Sequence, residues 1–127
     1  MNRERALKIM LVLVGLLFMA GIIPMVMILW QRDKGAYGDA MMLSLYVPLG
    51  IFLLLAVRNP SAHLSLIAFA AWSSFAHGAF MAALAYLIPS ERVGMLAAVG
   101  VLAFIGVALI VLAPAKQLGA RASAAGA

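Results

Sequence analysis

Four long stretches of the chain contain no Lys, Arg, Asp or Glu, and they span residues 9–30, 40–57, 64–88 and 94–113. An α-helix needs about 17–25 predominantly apolar residues to cross the hydrocarbon core of a bilayer. Each stretch reaches that length, so the sequence predicts four membrane-spanning helices. Hydrophobic residues make up 67% of the 127 residues, which is more than a soluble domain of this size could bury.

The predicted fold class is all-α, a four-helix transmembrane bundle that occupies residues 1–118. Short connections make sequential helices antiparallel neighbours, in an up-down topology. Residues 119–127 are mostly Ala, Gly and Ser and are predicted to form a disordered C-terminal tail. Pro24 and Pro48 lie inside the first two spans and predict kinks, because proline removes a backbone hydrogen bond. Asp39 and Ser90 are predicted to cap the second and fourth helices.

The distribution of Lys and Arg predicts an orientation. Six of these residues lie on the side of the two termini and the second loop, and three lie on the other side: Arg3, Arg5, Lys8, Arg58, Lys116 and Arg121 against Arg32, Lys34 and Arg92. The positive-inside rule then places both termini in the cytoplasm. The expected location is the cytoplasmic (inner) membrane, in a multi-pass arrangement.

Polar residues inside the spans carry the functional information, and His77 is the most informative of them. An ionisable side chain near the middle of a bilayer usually faces the bundle interior or a water-filled cavity. We expect a ligand-binding site formed by His77, Trp72, Ser73 and Tyr46. Two interpretations of His77 stay open: a ligand contact, proton-transfer group or axial ligand, or a neutral imidazole bonded to Tyr46 or Ser73. Trp72 likewise either lines a pocket or packs in the bundle.

Small residues recur at helical spacing on the third and fourth spans, and they predict close helix packing. The residues concerned are Ala71, Ser74, Gly78 and Ala82 on the third span, and Gly100, Ala103 and Gly106 on the fourth. Such faces serve packing within the bundle or contact between copies, and the sequence leaves both open.

Several classes of site are excluded or not expected. The chain has no cysteine, which excludes disulfides, thiol chemistry and cysteine-ligated metals. It has no Gly-rich phosphate loop, His-Glu-x-x-His motif or nucleophile elbow. We therefore predict no cofactor, no metal site and no catalytic residue. The net charge of +5 does not indicate nucleic acid, because the basic residues lie where lipid head groups are expected.

Two segments carry a family resemblance: RNPSAHLSLIAFAAWSSFAHG at residues 58–78 and RERALKIMLVLVGLLFMAG at residues 3–21. They are similar to a family of small four-span bacterial membrane proteins of unknown function. The general plan also resembles the DoxX-like group, in topology only. The resemblance implies a four-helix bundle in the bacterial cytoplasmic membrane, and it supplies no activity and no catalytic residue.

Three functional hypotheses follow. The leading one is a non-enzymatic accessory subunit or a binder of a small lipid-like molecule, with a lateral pocket near Pro48, Tyr46, Trp72 and His77. The second is a small oligomeric channel or transporter that uses the small-residue faces. The third, less favoured, is a membrane enzyme that acts on a lipid or quinone. It needs an acid–base pair, and the candidates are His77 and Tyr46 within the spans and Asp39 and Glu91 at the outer surface. The expected partners are the lipid bilayer and either further copies of the chain or a larger membrane complex.

Overall fold

The computed structural model describes residues 2–114, and the described chain is helical without a β-strand. This agrees with the predicted all-α class. The helices are α1 (Arg3–Ala20), α2 (Ile22–Gln31), α3 (Tyr37–Ala56), α4 (Leu64–Leu87) and α5 (Arg92–Leu112). Short 3₁₀ turns precede the last three, at Lys34–Ala36, Pro60–His63 and Pro89–Glu91. The tail predicted at residues 119–127 lies outside the described residues.

Four helical stretches are long and apolar enough to cross a membrane, as the sequence predicted: Arg3–Gln31, Lys34–Ala56, Pro60–Leu87 and Pro89–Leu112. The shortest has 23 residues and is therefore about 34 Å long, at about 1.5 Å per residue. A hydrocarbon core is about 30 Å thick. The described residues divide into two compact units: residues 2–7 with 60–114, and Lys8–Asn59.

In the unit Lys8–Asn59, the first membrane-capable stretch is broken at Gly21. The Gly21 N–H donates to the Phe18 carbonyl at 3.2 Å, and the helix resumes when the Met25 N–H donates to Gly21. Pro24 contributes to the break because it has no N–H for the Ala20 carbonyl. The kink predicted in this span is thus a short interruption between α1 and α2. By contrast, α3 continues as one helix through Pro48.

In the same unit, the backbones of α1 and α3 come close together at Gly15 and Gly50. A Cβ atom placed on Gly50 would lie 2.6 Å from the Gly15 carbonyl oxygen and 2.8 Å from the Met19 amide nitrogen. Both neighbours are backbone atoms, so a side chain fits there only if the helices separate. This contact lies outside the small-residue lines predicted from the sequence.

In the other unit, α4 and α5 pack along their lengths. A Cβ on Gly106 would meet the Phe75 ring at 2.6 Å, and one on Gly78 would meet the Leu102 Cβ at 3.7 Å. Contacting positions therefore move backward along α5 as they move forward along α4. The predicted small-residue faces contribute to this packing. Gly100 does not, because a Cβ there would have no neighbouring atom within 4 Å.

The starts of α3 and α5 differ from the predicted caps. Asp39 lies in the first turn of α3, and the N-cap position is Ala36, without a side-chain cap. A carboxylate in the first turn still stabilises a helix through its dipole. Ser90 lies in the 3₁₀ turn before α5, whose N-cap is Glu91, also without a side-chain cap bond. The turn provides an amide bond instead, from the Glu91 N–H to the Ile88 carbonyl at 3.1 Å.

Candidate functional site

Three of the four residues predicted to bind a ligand lie on α4, and the fourth lies on α3. Trp72, Ser73 and His77 belong to the unit that contains α4 and α5, and Tyr46 belongs to the unit Lys8–Asn59. We describe each set within its own unit.

The two adjacent serines of α4 bond to the helix backbone. The Ser73 hydroxyl donates to the Ala70 carbonyl at 3.2 Å, and the Ser74 hydroxyl donates to the same carbonyl at 2.7 Å. Ser74 is fully buried. Local bonds of this kind satisfy a hydroxyl inside a helix without any ligand. They account for both hydroxyl protons within the helix.

His77 and Trp72 lie on different sides of α4. They are five residues apart, which corresponds to about 140° around a helix with 3.6 residues per turn. His77 is half-buried beside Ser74 and Gly78, which are buried. Trp72 is 64% exposed. One small ligand bound against the Trp72 side of α4 therefore approaches a different surface from the one that carries His77.

Tyr46 packs on an aromatic neighbour in its own unit. Its ring meets the Phe18 ring edge-on, with centroids 4.8 Å apart and an interplanar angle of 77°. This geometry places the positive edge of one ring on the negative face of the other, and such pairs are worth about 0.5–1.5 kcal/mol beyond their buried area. The contact ties α3 to α1 a short distance from the Gly15–Gly50 approach.

Trp72 lines an apolar cavity of about 260 Å³ between α4 and α5, which we call the Trp72 groove. On α4 the wall contains Leu64, Ala68 and Trp72, at successive intervals of four residues, so they share one helix face. The remainder of the wall is also apolar and consists of Ile67, Leu109, Ile110, Ala113 and Pro114. A surface of this composition is complementary to hydrocarbon and has few groups that a polar solute could bond to.

Phe75 and Gly106 support the indole at the groove. The Trp72 and Phe75 rings meet edge-on, with centroids 5.5 Å apart and an interplanar angle of 68°. Phe75 in turn lies directly against Gly106 of α5, where an added Cβ would be 2.6 Å from its ring. The absence of a side chain at Gly106 therefore allows Phe75 to occupy its place beside Trp72.

Arg3 joins the beginning of α1 to the end of α5. Its Nη2 donates to the Val111 carbonyl at 2.7 Å and the Ala113 carbonyl at 2.8 Å, and its Nε donates to the Leu112 carbonyl at 3.4 Å. The last carbonyls of a helix have no partner inside the helix, and a cation near them is stabilising. The guanidinium thus caps α5.

A second cavity, of about 430 Å³, adjoins this cap, and we call it the Arg3 cavity. Its wall contains two residues of opposite charge, Arg3 and Glu4, and the hydroxyl residue Ser61. The other side chains are apolar: Leu7, Pro60, Leu112 and Pro114. Pro114 also belongs to the wall of the Trp72 groove. The two cavities are therefore neighbours, one partly polar and the other apolar.

Metal ligands are not grouped in the described part of the chain. Within residues 2–114, no three His, Asp or Glu side chains lie close enough together to hold a metal ion.

Comparison with known proteins places the chain in a family. The model of a family of unknown function, DUF6632, matches residues 3–125. The chain belongs to the DUF6632 family. Searches of the curated proteins and of the solved structures each found no match. The resemblance to a family of unknown function is thus confirmed, while a DoxX-like plan and a bacterial source remain predictions.

Two features of this DUF6632 member were not identified from the sequence: the part of the groove wall beyond Trp72, and the cap that Arg3 forms on α5. The face that contains Leu64, Ala68 and Trp72 was detectable, because a spacing of four residues indicates one helix face. The role of Arg3 was not detectable, because its partners lie about 110 residues away in the chain. In the sequence it counted only as one positive charge of the N-terminus.

Proposed function

We propose that this DUF6632 member is a multi-pass membrane protein that binds a lipid-like molecule in the Trp72 groove and catalyses no reaction. The observation that carries the proposal is the groove itself, a cavity of about 260 Å³ whose wall is apolar and includes an exposed indole. Such a wall is complementary to the hydrocarbon part of a ligand, and the tryptophan adds a large rigid contact surface. The role is that of a binder or an accessory subunit.

The proposal includes insertion in the cytoplasmic membrane with antiparallel spans and both termini in the cytoplasm. One contact set supports it. Arg3 at the start of α1, Ser61 just before α4 and Pro114 just after α5 line the same cavity. These segments therefore lie at one end of their unit. They are the same three regions that carry the larger number of basic residues, as the positive-inside rule requires of the cytoplasmic side.

A binding role fits the groove better than an enzymatic one. General acid–base catalysis needs a titratable group within hydrogen-bond reach of the reacting atom. The described wall of the groove consists of aliphatic, proline and tryptophan side chains. His77, the leading candidate for an enzymatic role, lies about 140° from Trp72 around α4.

The test is native mass spectrometry of the protein released from nanodiscs. The unmodified protein is expected to retain one lipid-sized adduct. Ala68→Phe fills the groove and is expected to lower adduct occupancy. Ala83→Phe is the matched control, because Ala83 is an exposed alanine of the same helix, eleven residues beyond Trp72 and outside the groove wall. Equal occupancy in both variants contradicts the proposal.

His77→Ala distinguishes the groove from the site predicted around His77, Ser73 and Tyr46. If the ligand lies in the Trp72 groove, His77→Ala retains the adduct while Ala68→Phe loses it. If the ligand lies beside His77, His77→Ala loses the adduct and Ala68→Phe retains it. The comparison therefore assigns the ligand to one side of α4.

A second candidate function is an oligomeric channel or transporter, and one observation favours it. Gly100 has open space where a side chain would be, and nearby Ala103 is exposed. Small residues on an outward face allow the backbone of another helix to approach closely. The same native mass spectra give the number of chains per particle. An oligomer that Gly100→Leu disrupts would support this function, and a monomer would count against it.

A further inference from the structure

We infer that the Arg3 cavity receives the head group of a zwitterionic aminophospholipid whose acyl chain lies in the Trp72 groove. The inference rests on the proposed function, because it assumes that the groove binds hydrocarbon. It adds the chemical class of the ligand and a second binding surface. Three observations support it: the Arg3 cavity is partly polar and the Trp72 groove is apolar, the two share part of their wall, and the Arg3 cavity contains charged residues.

The position of the two cavities matches an amphiphile. Pro114 contributes to both walls, and Leu112 of the Arg3 cavity is adjacent in the chain to Ala113 of the groove. A molecule that occupies both has its polar part near the end of α5. Its apolar part extends along the helices toward Trp72. Head groups lie at the ends of membrane-spanning helices, so the polar cavity is at the depth where a lipid head is expected.

Arg3 provides the contact for a phosphate group. Its three bonds to the end of α5 use the Nε and Nη2 atoms. A guanidinium has five N–H donors, so the two donors on Nη1 can bind phosphate oxygens. Arginine is well suited to this because its planar fork matches the geometry of a phosphate. The bonds to α5 also hold the side chain in place before a lipid arrives.

Glu4 makes the cavity favour a zwitterion over an anion. The wall contains one cation, Arg3, and one carboxylate, Glu4, with the Ser61 hydroxyl as a neutral donor and acceptor. A head group with a phosphate and a primary ammonium complements both charges. An anionic head without an ammonium meets Glu4 as an unfavourable like charge. A carboxylate accepts several donors at once, so an ammonium can join any partner that Glu4 already has.

The experiment measures lipid selectivity by native mass spectrometry. The full chain is released from nanodiscs that contain equal amounts of phosphatidylethanolamine and phosphatidylglycerol. The two lipids carry acyl chains of different mass, so that their adducts are resolved. The measurement is repeated with the acyl chains swapped between the two head groups. The unmodified protein is expected to retain phosphatidylethanolamine preferentially. Glu4→Gln is the main variant, because it leaves the bonds of Arg3 to α5 in place. It is expected to reduce the preference by about 1.5-fold to 5-fold, as for one exposed ion pair.

Glu91→Gln is the matched control, because Glu91 lies at the start of α5 and outside the Arg3 cavity. It is expected to leave the preference unchanged. A soluble head group, glycerophosphoethanolamine, is added in a parallel sample. It is expected not to displace the lipid, because it cannot occupy the groove. If it does displace the lipid at equal concentration, the ligand is a soluble phosphoester and the inference is wrong.

The outcomes separate this inference from the proposed function. An adduct that Ala68→Phe removes, but that shows no preference for phosphatidylethanolamine, overturns the inference and leaves the groove intact as a lipid site. An equal change of preference in Glu4→Gln and Glu91→Gln also overturns it. The absence of any adduct in the unmodified protein overturns both.

Discussion

The contact between Gly15 and Gly50 gives a sharp prediction about stability. In Gly50→Ala the new Cβ would lie 2.6 Å from the Gly15 carbonyl oxygen, 2.8 Å from the Met19 amide nitrogen and 3.0 Å from the Phe18 Cβ. Two of these neighbours are backbone atoms, which cannot move away as a side chain can. The clash is therefore relieved only by movement of α1 relative to α3.

The size of the effect follows from the distances. Ordinary contact begins at 3.4 Å, so the 2.6 Å contact requires a separation of roughly 0.8 Å. A radial gap of about 0.5–1 Å already forfeits a quarter to a half of the dispersion energy of neighbouring contacts. Overpacking of this kind typically costs about 1–3 kcal/mol. Alanine inside a helix recovers up to about 1 kcal/mol relative to glycine.

Gly38→Ala isolates the packing cost. Gly38 is also in α3, but a Cβ there would have no neighbouring atom within 4 Å, so this variant receives only the gain in helix propensity. The free energy of unfolding, measured by SDS titration in mixed micelles, should be lower for Gly50→Ala than for Gly38→Ala by about 1–3 kcal/mol. This difference is roughly 5-fold to 150-fold in the unfolding equilibrium.

Gly15→Ala should give an intermediate value. Its new Cβ would lie 2.8 and 2.9 Å from the Leu54 side chain, which can adjust, and 3.0 Å from the Gly50 carbonyl oxygen, which cannot. From most to least stable, the expected order is Gly38→Ala, Gly15→Ala and Gly50→Ala. Equal stability of Gly50→Ala and Gly38→Ala would refute the reasoning, because it would mean that α1 and α3 do not approach as closely as described.

Two further predictions concern the unit that contains α4 and α5. Gly106→Ala should displace the Phe75 ring, whose atoms would lie 2.6–2.9 Å from the new Cβ, and so shift the emission of Trp72. This is measured in a background in which the other tryptophan is replaced by phenylalanine, and Gly100→Ala, which has open space, should leave the emission unchanged. Arg92→Ala should lower stability by about 0.5–1.5 kcal/mol, because Arg92 donates to carbonyls at the end of α4 at 2.9 and 3.3 Å. Thermal unfolding in detergent checks this, and a loss no greater than that of Lys34→Ala would contradict it.

The membrane-capable helices were predictable because their signal is local. A stretch without charged residues is visible in the sequence alone, and its length decides whether it can cross a bilayer. The break at Gly21 was less visible. Pro24 predicted a kink, but the interruption appears three residues earlier, at the glycine that follows the carbonyl left without a donor. Glycine and proline act together there, whereas Pro48 lies inside one continuous helix.

The contacts that position the helices were not predictable, because they join distant parts of the chain. Gly15 and Gly50 meet only once α1 and α3 cross at a particular register. Arg3 finds the carbonyls of Val111 and Ala113 only after α5 has formed. In a single sequence each of these residues is an ordinary helix glycine or terminal cation. Their roles depend on tertiary geometry that local spacing does not encode.

The candidate site illustrates the same division. His77 was selected because an ionisable group in a membrane span is costly, and the predicted site around it remains a prediction. Trp72 was considered both as a pocket residue and as a packing residue, and in the structure it lines a cavity with its indole exposed. Its partners Leu64 and Ala68 follow from helical spacing. The α5 residues of the groove could not be predicted from helical spacing, because their position depends on how α5 packs against α4.

The most direct test of the central claim is photo-crosslinking with a phospholipid that carries a diazirine on its acyl chain, followed by mass-spectrometric mapping of the labelled residues in nanodiscs. Phe80 and Phe104 are 66% and 65% exposed and lie outside the wall of the groove, so they report general contact with lipid. The account predicts labelling concentrated on Trp72 and Ile110, and its selective loss in Ala68→Phe. Even labelling of all four residues, unchanged by that substitution, would contradict the account, because it would mean that the groove holds lipid no better than any other apolar surface of the protein.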